Sequence, residues 1–142
     1  MKIQRNGAAH WNGGLKDGKG TITTGSGALS SYPYGFASRF EGVAGSNPEE
    51  LLAAAHAACF TMALTLVLAE SGLTADAIDT KAVVTLEQAD GGYFISRVDL
   101  TLRATIPAAD DSVFQAAAAA AKANCPLSKV LNAEITLDAA LV

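Results

Sequence analysis

Two thiols 66 residues apart, Cys59 and Cys125, are the side chains of this sequence with the most chemistry open to them. Cys59 lies among Ala55, Ala57, Ala58, Phe60, Met62 and Ala63. Apolar burial raises a thiol pKa, and only the thiolate is a strong nucleophile. Cys59 is therefore an inert core thiol unless a cation reaches it from elsewhere in the fold. Cys125 precedes Pro126, a residue suited to a first helical turn, so its sulfur falls at the cap of a short helix, Cys125-Pro126-Leu127-Ser128-Lys129-Val130-Leu131. Free N–H groups and the macrodipole favour a thiolate there. Cys125 thus reads as an activated nucleophile, as a resolving thiol, or simply as a small residue that fits before proline. One enclosed and one poised cysteine are what a thiol peroxidase can use: one sulfur is oxidised to a sulfenic acid and the other condenses with it to a disulfide.

The groups nearest Cys59 in sequence are read against helical geometry. At 100° per residue Glu49 lies about 80° around a helix from Cys59, whereas Glu50 lies about 180° away, so Glu49 is the carboxylate able to share a site with it. His56, three residues before Cys59, is on the same side, although a hydrogen-bonded core imidazole is the better account of it. A Cys59–His56 acyl hydrolase lacks a third group to orient the imidazole. His10, His56, Cys59 and Cys125 are the soft ligands available, but only His56 and Cys59 have local spacing, so no metal is expected.

The element that must carry Cys59 is written plainly in the sequence. From Asn47 to Gly72, Asn47 caps the first free N–H groups and Pro48 takes the first helical position. Glu49 and Glu50 suit the positive end of the dipole, and Gly72 provides a left-handed exit. The result is one helix of roughly 24 residues, about 36 Å long. Before it, Ala8–Trp11, Gly20–Thr24 and Gly35–Glu41 read as short antiparallel strands of a meander. In the last of these Phe36, Ser38 and Phe40 share one face, and Arg39 with Glu41 makes a solvated pair on the other. After the helix, Lys81–Gln88 alternates, Ala89-Asp90-Gly91-Gly92 turns, and Tyr93–Ile106 runs as a long strand. Its buried face holds Val98, Leu100, Leu102, Ala104 and Ile106, and its wet face Arg97, Asp99, Thr101, Arg103 and Thr105. Pro107 ends it. Asp110 or Asp111 caps a second helix through the alanine tract to about Ala123, with Asn124 as a left-handed stop, and Glu134–Leu141 closes the chain as a strand.

Half of the 142 residues are apolar, enough for one domain spanning 1–142 with a core of small side chains. A net charge of −4, with ten scattered Lys and Arg, argues against nucleic acid or an anionic membrane as partner. Met1–Gly7 shows charge without an apolar run, so no signal peptide is expected and a reducing cytoplasm is the expected home. Leu51–Ala69 carries no formal charge and is long enough to span a bilayer. Its alanines, its internal His56, Thr61 and Thr65 and its acidic flanks speak against a span. A helix apolar nearly all round must then be covered on most sides by protein.

Three stretches, Pro33–Gly42, Gly45–Phe60 with its N-P-E-E-L and A-A-C-F, and Cys125–Leu131, resemble the OsmC/Ohr family of bacterial peroxide-defence proteins, closer to the OsmC branch. The similarity runs from Ala9-His10-Trp11-Asn12-Gly13 to Ala133–Leu137, nearly the whole chain. It implies an α+β fold built as an intertwined homodimer, with curved antiparallel sheets wrapped around two long central helices and active sites at the subunit interface. It also implies a thiol-dependent peroxidase of stress defence that prefers organic hydroperoxides. In that scheme Cys59 matches the peroxidatic cysteine, Cys125 the resolving one, and Arg39 and Glu49 the charged pair beside the reactive sulfur. Arg39 lowers the Cys59 pKa and holds the peroxide oxygens, while Glu49 orients the guanidinium through two parallel hydrogen bonds. The family pattern brings no bound cofactor and no metal; an external dithiol, of lipoyl type by the resemblance, is the reductant. Phe36, Phe40, Phe60 and Met62 line an apolar channel or merely fill a core. The competing reading is a non-catalytic dimer that binds a small apolar ligand in peroxide or osmotic stress.

Overall fold

The structure is a computed structural model covering residues 1–142. The chain packs as two compact units, Met1–Leu51 and Leu52–Val142.

In the first unit β1 (Gly7–Asn12), β2 (Lys19–Thr24) and β3 (Tyr32–Tyr34) form an antiparallel sheet in chain order. Gly20 pairs with both Trp11 and Tyr34, whose rings meet with centroids 5.4 Å apart. A Cβ at Gly20 would stand 2.3 Å from the Tyr34 ring and 2.6 Å from the Trp11 ring, so only glycine admits this aromatic cover.

The strand expected over Gly35–Glu41 is instead a short helix, α1 (Phe36–Phe40). Alternation by two puts Phe36 and Phe40 on one face, but so does helical i,i+4 spacing, and here the rings meet along a helix with centroids 4.9 Å apart and planes tilted by 46°. Ser38 decides between them. Its hydroxyl accepts from the Gly35 N–H at 3.0 Å and donates to the Ser46 carbonyl at 2.8 Å, side-chain bonds that compete with a strand ladder.

The long helix α2 (Pro48–Glu70) starts and stops as its sequence directs. The Asn47 side-chain oxygen accepts from the Glu50 N–H at 2.8 Å. At the other end Gly72 has φ of 71°, and the Leu73 N–H reaches back to the Leu68 carbonyl at 2.9 Å. Its buried stripe is His56, Phe60, Leu64 and Leu68; Ala55, Ala58, Met62, Thr65, Leu66 and Ala69 remain exposed in the chain.

In the second unit β4 (Ala77–Ala89) and β5 (Gly92–Thr105) form a hairpin. Its two-residue turn, Asp90-Gly91, has both φ values positive. Val98, Leu100, Leu102, Ala104 and Ile106 are buried, as the alternation requires. Asp110 accepts from the Ser112 and Val113 N–H groups and caps α3 (Asp111–Asn124). Asn124 is not left-handed. The residue before a proline is driven out of the helical region, so Cys125 leaves α3 with ψ of 123°, its N–H bonded to the Ala121 carbonyl, and Pro126 opens α4 (Pro126–Val130).

The last strand, β6 (Glu134–Leu141), lies parallel to β5, so the second sheet, in order β4-β5-β6, is mixed and not wholly antiparallel. A parallel neighbour requires a crossover, which α3 and α4 provide. Phe60, Leu64 and Leu68 of α2, the inner face of β5, and Phe114, Ala117, Ala118 and Ala121 of α3 make one buried cluster that also includes Cys125. Phe114 is its large side chain from α3, surrounded by alanines of its own helix that cannot expand into a void. Phe114→Ala should lower stability by about 3–5 kcal/mol, read as a fall in the urea midpoint at unchanged m-value.

Candidate functional site

The two thiols meet in the second unit. Cys59, in the middle of α2, and Cys125, at the junction of α3 and α4, place their sulfurs 3.1 Å apart as free thiols. They differ in access. Cys125 is fully buried, whereas Cys59 is half-buried and lines an open apolar groove of about 870 Å³ with Ala58, Met62, Ala63, Leu66, Val67 and Pro126.

They differ in electrostatics in the opposite sense. Burial pushes the Cys59 thiol up; the Leu127 N–H works against this, and the hydrogen bond with Cys125 adds to it. Burial is also the largest single influence on Cys125, but there it is outweighed. The Ser128 N–H, the Cys59 thiol, the Ser128 hydroxyl and the Leu127 N–H all favour the thiolate and bring Cys125 below its ordinary value. The start of α4 therefore does what a helix start does to a thiol.

His56, one turn before Cys59, is completely buried, with Nε2 2.8 Å from Ser128 Oγ and Nδ1 without a partner. Burial lowers its pKa and keeps the imidazole neutral. It is the hydrogen-bonded core histidine that the sequence allowed. Ser128 had no role in the sequence reading. Its one visible signal was position, three residues after a Cys-Pro helix start, where a side chain can turn back to the cap.

The first unit holds the charged pair. Arg39 of α1 meets Glu49, in the first turn of α2, through Nη2···Oε1 at 2.6 Å and Nε···Oε2 at 3.2 Å, a two-point contact. Glu41 is not its partner, and Glu50 points to solvent. The Arg39 guanidinium also lies over the Phe40 ring at 5.2 Å. Beside it a small cavity of about 170 Å³ is lined by Trp11, Leu15, Tyr34, Phe36, Phe40 and Pro48. Of the four apolar side chains expected at a channel or in a core, Phe36 and Phe40 line this cavity and Met62 lines the larger groove. Phe60 is core, fully buried. His10, on β1, is bonded to the Asn12 amide at 2.8 Å.

The chain matches the OsmC-like protein family over residues 41–140. It is 53% identical over 138 residues to the peroxiredoxin OsmC of Escherichia coli K12, covering 97% of this chain and 96% of that one. Its fold superposes on the crystal structure of the organic hydroperoxide resistance protein OhrB of Bacillus subtilis with a TM-score of 0.74 and 30% identity, over 95% and 98% of the two chains. The organic hydroperoxide resistance protein of Elizabethkingia anophelis gives 0.75 and 27% over the full length of both. With its α+β fold and nearly end-to-end likeness to these proteins, the chain belongs to the OsmC family.

Proposed function

We propose that this protein is a cysteine-based peroxidase that reduces organic hydroperoxides to alcohols. The observation that carries the reading is the sulfur pair: two free thiols in contact, only one of which faces an open apolar groove. The accessible Cys59 is the peroxidatic sulfur. Its thiolate attacks the distal peroxide oxygen; an S–O bond forms, the O–O bond breaks, and the alkoxide takes a proton to leave as alcohol. The Cys125 thiolate then attacks the sulfenic sulfur, the S–S bond forms, and hydroxide departs as water. An external dithiol, of lipoyl type, reopens the disulfide by exchange and is itself oxidised. Cys59 needs a cation for the first step, because its own surroundings hold the proton on the sulfur. Arg39, aligned by Glu49, is that cation.

The exposed apolar stripe of α2, with Met62 at 75% and Leu66 at 64% exposure in the single chain, is the surface by which two copies form the homodimer; the groove at Cys59 shares these two residues, so in the dimer the partner walls it and it becomes the substrate channel at the subunit interface. By length and composition α2 could also cross a bilayer, and pairing through this stripe covers it with protein instead. The protein is read as acting in the cytoplasm, where thiols stay reduced.

One equivalent of cumene hydroperoxide should consume both thiols of the wild-type protein and leave an intramolecular Cys59–Cys125 bond. In Cys125→Ser the first oxidation still occurs, and a sulfenic acid on Cys59 accumulates that dimedone traps, seen as one adduct per chain by mass. Thiols unchanged after peroxide treatment would favour a binding protein for an apolar ligand in the groove.

A further inference from the structure

Apart from the sulfur of Cys59, the groove along α2 has one ionisable side chain in its wall, Glu70. At 1.5 Å and 100° per residue, Glu70 lies about 16 Å along the helix from Cys59 and only about 20° around it, on the same stripe as Ala63 and Leu66. Neither the fold nor the two-sulfur chemistry accounts for this carboxylate. It stands in the last turn of α2, where the macrodipole is negative, with no basic residue in that turn, and it belongs to none of the chain's ion pairs. Its charge adds to the negative end of the helix. The groove therefore runs from a thiol, past a hydrocarbon wall, to a point of negative potential. We infer that Glu70 is a specificity-determining residue that sorts long hydroperoxides by the charge at the end remote from the O–O bond, disfavouring carboxylates and admitting neutral esters and cations. This role rests on the peroxidase reading, in which the O–O group is held at Cys59.

Length decides which substrates feel this charge. With carbon–carbon bonds of about 1.5 Å, an extended chain of roughly twelve carbons spans the stretch from Cys59 to Glu70. A shorter chain ends beside Ala63 and Leu66, and the polar groups elsewhere on the wall, Thr65 and Asn124, are uncharged. In the dimer, where the partner walls the groove, two like charges inside it are screened less than in open water. The overall charge of −4 opposes every anion alike, whatever its length. Glu70 opposes only those that reach it.

The test compares three substrates at neutral pH: 12-hydroperoxydodecanoate, its methyl ester and the matching hydroperoxide with a terminal trimethylammonium group. Each ratio of kcat/KM is taken within one protein, so that any general loss of activity cancels. At low ionic strength the wild-type value should be about tenfold higher for the ester than for the carboxylate, and higher again for the cation. Added salt should shrink the difference. Glu70→Gln should bring the three substrates within about twofold of one another. Glu70→Lys, which suits the end of a helix better than glutamate does, should reverse their order. The short pair, 5-hydroperoxypentanoate and its methyl ester, should differ by less than about twofold in all three proteins, because neither reaches position 70. A merely structural role for Glu70 would change stability and leave these ratios alone. Ratios unchanged in both variants, or a short acid disfavoured as strongly as the long one, overturn the inference. Wild-type thiols that ignore every hydroperoxide would instead overturn the peroxidase reading; methyl dodecanoate binding more tightly than dodecanoate, with the difference lost in Glu70→Gln, would then still uphold the charge selection.

Discussion

Cys59→Ser takes hydroperoxide turnover to the uncatalysed level, a loss on the order of 10⁴-fold or more, because the variant has no other accessible thiol and no base placed to activate a hydroxyl. The outcome is informative because two physical criteria point to different sulfurs. Electrostatics within the chain favours Cys125 as the thiolate, since the N–H groups of Leu127 and Ser128 help bring its pKa below the ordinary value while burial holds the proton on Cys59. Access favours Cys59, since Cys125 has no exposed surface and is absent from the wall of the groove. A hydroperoxide must touch the sulfur it oxidises, so access decides the first step. Electrostatics can then serve the second, in which the attacking thiolate and its target are already 3.1 Å apart. The measurement is peroxide consumption with excess dithiol, together with the mass of the protein after one equivalent of oxidant. Should Cys59→Ser keep its turnover while Cys125→Ser loses it, the two roles are reversed.

This division of labour was only half visible in the sequence. The start and stop of α2 were legible because Asn47, Pro48 and Gly72 act through their own backbone neighbours, and β5 because its alternation is long enough to admit no other period. Local signals failed where two periods coincide, as for Phe36 and Phe40, and where a later residue overrides an earlier one, as Pro126 does to the exit at Asn124. The direction of β6 was not legible at all. An alternating strand reads the same whether its neighbour runs parallel or antiparallel, and only the crossover through α3 and α4 fixes it. Among the site residues, Glu49 could be chosen over Glu50 from helical angle alone, and its contact with Arg39 agrees with that choice. The same angle could not exclude Glu41 as the arginine's partner. That needed α1 to be a helix, where positions i and i+2 point apart. Ser128 stayed invisible because its partner comes from a different helix, and no local spacing relates positions 56 and 128.

Arg39→Ala is expected to lower kcat/KM for an organic hydroperoxide by about 10²–10³-fold, comparable to removing one preorganised donor from a charge-stabilising site. Arg39→Lys tests what the side chain supplies. If only a positive charge is needed beside Cys59, lysine recovers most of the rate. If the flat fork is needed, one edge on Glu49 and the other on the peroxide oxygens, a rotatable ammonium recovers little, and the two-point Arg39–Glu49 contact favours this second outcome. Glu49→Gln should then fall between, about tenfold down, since the guanidinium stays charged but loses its charge-assisted anchor. A rate within twofold of wild type in Arg39→Ala would remove Arg39 from the mechanism. In a dimer the subunit of origin is also testable, by mixing an Arg39→Ala chain with a Cys59→Ser chain under conditions that exchange subunits. If each arginine serves the cysteine of its own chain, every site in the hybrid is defective and activity stays low. If it serves the other chain, the hybrid gains one site with both Cys59 and Arg39 intact and recovers about half the activity of a wild-type dimer, while either parent alone recovers none.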